Sequence, residues 1–128
     1  MRIFKTWLPS FLWMGLIFIL SSRSRVSLTA NSSVDFVIFK SLHMLEYGIL
    51  FILNYRALKK TLFVKTVNFL AIAFLITVIY AFFDEIHQLF TPTREGRLRD
   101  VFFDGMGAVV VGGLLWKLKP IRRKKPKS

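Results

Sequence analysis

Asp35, Lys40, His43, Glu46, Asp84, Glu85, His87, Asp100 and Asp104 are residue types that bind, protonate or hydrolyse, and in this chain they stand inside or at the edge of long apolar segments. Charge in hydrocarbon is costly, so such residues mark a functional site by default. Carboxylates in unequal surroundings can divide general acid and base work, and Asp84, Glu85 and His87 are the candidates for that role. Imidazole and carboxylate from His43, Asp84 and His87 also suit a divalent metal, whose bound water would become a nucleophile, although nothing in the sequence requires a cofactor. Lys40, His43, Glu46, Tyr47, Gln88, Arg94, Arg97, Asp100 and Asp104 complete the set as candidate ligand-binding residues. Neither an H-E-x-x-H pair nor a P-loop is present, and the lack of cysteine removes disulfides, thiolate chemistry and Cys-ligated metals.

Helical spacing gathers these residues into stripes. Lys40, His43 and Tyr47 stand at i, i+3 and i+7, with Glu46 three residues beyond His43. Asp84, His87 and Gln88 share a face by the same rule, while Glu85 points about 100° away. Asp100 and Asp104 stack at i, i+4. Pairing among three such stripes is the cheapest way to keep the groups out of lipid, so Glu46, Asp84 and His87 are expected to face the interior in one network with His43 and the Arg94 region.

The elements that carry the stripes belong in a bilayer. With 54% hydrophobic and 16% aromatic residues in 128, the chain is too apolar and too short to enclose a water-soluble core. Four stretches approach the length of about 20 residues that crosses a hydrocarbon core: Ile3–Leu20, Val34–Tyr55, Val67–Phe90 and Val101–Leu118. Ser21 to Ser33, Arg56 to Lys65 and Thr91 to Arg99 are the polar connections between them. Connections this short make consecutive helices antiparallel neighbours, which predicts an all-α, polytopic, four-helix transmembrane bundle. Residues 1–118 read as one domain and 119–128 as a basic cytoplasmic tail. Gly105, Ala108 and Gly112, joined by Gly107 and Gly113, give the last helix a small-residue face for close packing.

Orientation follows from the basic residues. With the N-terminus cytoplasmic, 13 Lys and Arg fall inside and 5 outside, with Lys40 within a helix, and this excess places both termini in the cytoplasm. Trp7, Tyr55 and Trp116 then lie near the inner interface. All seven acids and both histidines map to the outer loops or the outer half of the bundle. The net charge of +12 does not point to nucleic acid, because the run Arg122-Arg123-Lys124-Lys125 follows the last apolar segment at once, where it orients the helix and attracts anionic headgroups. The basic, apolar N-terminus lacks a small-residue cleavage site and reads as a retained first helix.

The run Tyr80-Ala81-Phe82-Phe83-Asp84-Glu85-Ile86-His87-Gln88-Leu89-Phe90, followed by Pro92, Arg94, Gly96, Asp100-Val101, Asp104-Gly105 and Gly107-Ala108, resembles the signature of VanZ-like membrane proteins. Ser21-Ser22 and the run from Lys40 to Leu50 are similar to the family's other blocks. Asp104 departs from that pattern, since relatives often carry a neutral polar residue such as Asn there. The resemblance implies a small bacterial inner-membrane protein, in a family named for a member linked to low-level teicoplanin resistance.

Three functions compete. Arg94, Arg97 and Arg99 can hold the phosphate or carboxylate of a lipid-linked envelope component or of a lipoglycopeptide, making the protein a binder or shield at the outer face. Against this, arginines at a membrane edge also snorkel to headgroups with no specific partner. The carboxylates and histidines can instead serve a hydrolase of a lipid phosphate, metal-assisted or acid–base. Thirdly, Lys40 paired with an acid, His43 with Glu46, and Asp100 as an N-cap can simply hold the helices in register. The number of polar groups in one half of the bundle exceeds what register alone needs and counts against the third reading.

Overall fold

The computed structural model describes residues 1–23, 27–62, 69–91 and 97–118. They form four helices: α1 (Arg2–Ser21), α2 (Ser32–Thr61), α3 (Phe69–Gln88) and α4 (Leu98–Leu118). Each is long and apolar enough to cross a membrane. The tail after Leu118, Val67 and the turn around Arg94 and Glu95 lie outside the described residues.

Local chemistry sets the helix boundaries. At the start of α2 the Asn31 side chain accepts from the Ser33 amide at 2.9 Å, satisfying one of the donors that a helix N-terminus leaves open. The Asp35 carboxylate then folds back over the approach to the helix. It accepts from the Thr29 amide (2.8 Å) and hydroxyl (2.7 Å), and from the Leu28 amide (3.2 Å). At its other end α2 runs on to Thr61, where a polar connection from Arg56 was expected. The reason is amphipathic: Ala57 and Leu58 stay buried while Arg56, Lys59 and Lys60 face outward. Lys59 and Lys60 also complement the negative end of the helix dipole. Thirty residues at about 1.5 Å each outreach a hydrocarbon core of about 30 Å, so the last turns of α2 project beyond it.

Contacts near the helix ends show the alternating direction. The C-terminal residues of α1 and α3 meet through Ser21 and Asp84, and the N-terminal portions of α2 and α4 meet through Lys40 and Asp100. The four helices do not form a square, however. α2, α3 and α4 pack on one another, with α2 against α4 the most extensive contact, while α1 lies on α2, touches α3 lightly and does not reach α4 among the described residues. Close approach of α2 and α4 depends on Gly107, where a Cβ would collide with the Met44 carbonyl oxygen and lie 2.9 Å from its carbon. Gly48 on α2 faces the same crossing, since a Cβ there would meet Val111 at 3.0 Å. Small residues at such a crossing let backbones meet where lipid offers no hydrophobic drive for association. Gly113 is not part of this face, as nothing lies within 4 Å of its added Cβ.

Burial is inverted relative to a soluble protein. Leu12, Leu45, Phe83, Phe102 and Val109 are among many large apolar side chains facing outward. Inside, Phe51, Leu58, Ala73 and Ala108 fill the half nearer the chain termini, and Ile17, Tyr47, Leu50 and Ala81 lie above them. At the far end the buried residues become polar: Ser21, Asp84, Glu85, Gln88, Asp100 and Asp104.

Candidate functional site

The polar end is organised around Asp84, whose side chain is almost wholly buried. Three helices aim donors at one of its oxygens. The Ser21 hydroxyl from α1 donates to Oδ2 at 2.8 Å, the Tyr47 hydroxyl from α2 at 2.9 Å, and the Gln88 amide one turn on in α3 at 3.1 Å. A carboxylate accepting several hydrogen bonds is a strong local tie, because charge-assisted bonds are roughly twice as strong as neutral ones. Oδ1 of the same carboxylate is buried with no hydrogen-bond partner among the described residues, and so is Oδ1 of Asp104 on α4. Asp104 is only 2% exposed and lies within electrostatic reach of His43, Lys40, Glu85 and Asp84.

Around this centre the other polar groups form pairs. Lys40 Nζ lies 2.6 Å from Asp100 Oδ1, both largely buried. The ammonium also sits 5.9 Å from the ring centres of Phe36 and Phe103, so apolar faces shelter the pair. Asp100 is the third residue of α4 rather than its N-cap: the helix begins at Leu98, and the first turn is drawn inward by the lysine. His43 Nδ1 lies 3.3 Å from Glu46 Oε2 one turn along α2, and its ring lies nearly parallel to that of Tyr47 at 6.5 Å. Glu85 Oε2 accepts from the Arg97 amide at 3.0 Å, tying the approach to α4 onto the end of α3.

His87 shares with Asp84 the side of α3 that meets the end of α1, but it takes a different partner. It stacks on Phe18 of α1 at 4.2 Å and places Nε2 2.9 Å from the Ser22 hydroxyl. That hydroxyl spends its single hydrogen on the Phe18 carbonyl at 2.7 Å. Its oxygen therefore accepts, which makes His87 Nε2 the protonated nitrogen. His43, Asp84 and His87 thus face different neighbours, and among the described residues no three His, Asp or Glu side chains converge as metal ligands. Lys40 with Asp100, His43 with Glu46, and Tyr47 and Gln88 with Asp84 are brought together; Arg97 and Arg99 are exposed at the mouth, and Arg94 lies outside the described residues.

Spacing alone missed the residues that fasten α1. Ser21 and Ser22 read as a polar break, yet they supply a donor to Asp84 and a partner for His87. Trp13 Nε1 donates to the Glu46 carbonyl at 2.9 Å, and Tyr80 donates to the Met14 carbonyl at 2.6 Å. Two serines closing an apolar helix were the available signal; a tryptophan or tyrosine within an apolar run carries none.

The fold and the polar end together define a multi-pass membrane protein whose buried polar residues are packed at one end of a four-helix bundle. The VanZ/LLP1 family model matches residues 6–119, and the chain belongs to that family. Comparison with curated proteins and with solved structures finds no match for the chain.

Proposed function

We propose that this VanZ-like protein binds, and acts on or shields, an anionic lipid-linked component of the cell envelope at its polar end, lowering sensitivity to lipoglycopeptides such as teicoplanin. The observation that carries the reading is the pair of buried carboxylate oxygens, Asp84 Oδ1 and Asp104 Oδ1, without donors among the described residues. Buried polar atoms are nearly always hydrogen-bonded, and an unmet acceptor costs about 1–3 kcal/mol. A headgroup bearing hydroxyl or amine donors would satisfy them, while the exposed Arg97 and Arg99, with Arg94 close to them in sequence, take its phosphate or carboxylate. The excess of basic residues at the opposite end supports cytoplasmic termini and an outward-facing polar end, and the family resemblance supports a bacterial inner membrane. Residues 1–118 are the transmembrane domain and 119–128 its basic tail.

Asp104→Leu is the informative substitution, since Asp104 Oδ1 bonds to nothing in the described protein and the change keeps the branched shape while removing both acceptor oxygens. Cells expressing it are expected to become as sensitive to teicoplanin as cells without the protein, while membrane levels of the protein stay normal. Unchanged sensitivity at normal levels would remove the site. Loss of the protein itself would assign the carboxylate to the fold.

A further inference from the structure

The polar end accounts for a headgroup but leaves unexplained a concavity on the molecule's apolar exterior. Between α3 and α4 runs a groove of about 530 Å³, walled by Phe74 and Val78 on one side and by Leu98, Phe102, Gly105 and Val109 on the other. Gly105 deepens it: with no side chain, its position meets only Val78, at 3.6 Å from an added Cβ. On α4 the groove extends from Leu98 to Val110. Twelve residues of rise give about 18 Å, against about 15 Å for half of a hydrocarbon core. The groove therefore spans one leaflet.

Basic residues adjoin its outer end in sequence: Leu98 is flanked by Arg97 and Arg99, and Arg99 is exposed. The acid nearest in sequence, Asp100, is neutralised by Lys40 at 2.6 Å, so it does not offset the arginine at the surface. A second groove, of about 330 Å³ between α2 and α4, lacks this feature: it opens beside Ser41, whose neighbour Lys40 is committed to Asp100.

We infer that the α3–α4 groove seats one acyl chain of an anionic phospholipid, with the phosphate held at Arg99. An apolar slot about one leaflet long, whose end residue Leu98 is followed in the helix by the exposed Arg99, matches that ligand in length, polarity and charge. The inference rests on the reading of the polar end as a lipid-component site and adds the place where the component's chain lies. The seated lipid differs from bulk annular lipid in being selected by headgroup charge and in surviving dilution.

The test is native mass spectrometry of the full-length protein released from nanodiscs of equimolar phosphatidylglycerol and phosphatidylcholine. The wild type is expected to retain one phosphatidylglycerol in preference to phosphatidylcholine. Val109→Trp and Met106→Trp fill the groove from positions already facing lipid, and both should lose that lipid. Arg99→Gln should lose the preference. Leu114→Trp, equally exposed on α4 but outside the groove, and Lys117→Gln at the opposite end should retain it. Equal retention of the two lipids, or unchanged retention in both tryptophan variants, would mean annular lipid only and overturn the assignment. Failure of the underlying reading has a separate signature: Asp104→Leu would leave teicoplanin sensitivity unchanged whatever the lipid counts.

Discussion

The two halves of the bundle are held together by different physics. Toward the chain termini, Phe51, Leu58, Ala73 and Ala108 interlock, and the buried polar contact is the neutral bond from Asn54 to Thr77 at 3.2 Å. Toward the other end, Asp84 draws donors from three helices and Lys40 pairs with Asp100. In lipid, packing supplies close contact without hydrophobic drive, and neutral interhelical hydrogen bonds contribute only about 0.6 kcal/mol on average. Ion pairs and carboxylate bonds are held more strongly by the alternative, a charge left in hydrocarbon. The apolar half is thus a scaffold whose buried polar atoms are neutral, Ser10 Oγ and Asn54 Oδ1 among them, and the polar half combines cohesion with carboxylate oxygens that have no hydrogen-bond partner among the described residues.

The level where the halves meet is the most sensitive to change. Gly107→Leu is expected to separate α2 from α4 and abolish folded protein, because the backbone of Met44 cannot retreat. Overpacking of this kind costs about 3 kcal/mol or more, read as loss of the monodisperse detergent-solubilised species. Gly113→Ala, one turn and a half further along the same helix and in open space, should leave it intact. If both variants behave alike, the α2–α4 crossing is not what holds the bundle.

Next in size is Lys40→Met, which strands Asp100 without its cation. Removing one partner of a buried pair costs about 3–5 kcal/mol, much of which returns when the other charge is also removed. Lys40→Met with Asp100→Asn should accordingly recover most of the midpoint lost by the single change in a thermal-shift series. No recovery would show that Lys40 contributes through its place between Phe36 and Phe103 instead.

The smallest effect expected is that of Tyr47→Phe. It deletes one of three donors to Asp84 Oδ2 while keeping the ring in its apolar cluster, for a loss of about 1–3 kcal/mol. Because Ser21 and Gln88 remain, the protein should still fold, with a lowered denaturation midpoint. A cost as large as that of Lys40→Met would make the Asp84 centre, rather than the ion pair, the main tie of the polar half.

Much of this was legible before any coordinates. The four apolar segments set the number and class of the helices, because segment length against bilayer thickness is a one-dimensional comparison. The His43–Glu46 pairing also followed from spacing, since i, i+3 neighbours are adjacent on any helix, whereas Lys40 was expected only to meet some acid, because an unpaired charge in hydrocarbon is costly. The end of α2 was less legible: a basic run reads equally as a loop or as the exposed side of a helix, and burial of Ala57 and Leu58 decides between them.

What the tertiary structure alone decided is which helices touch and which atoms meet across them. That α1 flanks a three-helix core, that His87 turns to Ser22, and that Ser21 and Tyr47 converge on Asp84 depend on rotation and offset between segments far apart in sequence. Periodicity gives each residue an angle on its own helix but no common reference between helices. The reference is supplied by contacts such as Gly107 against the Met44 backbone, where the missing side chain sets the separation and the rotation of α2 and α4 together.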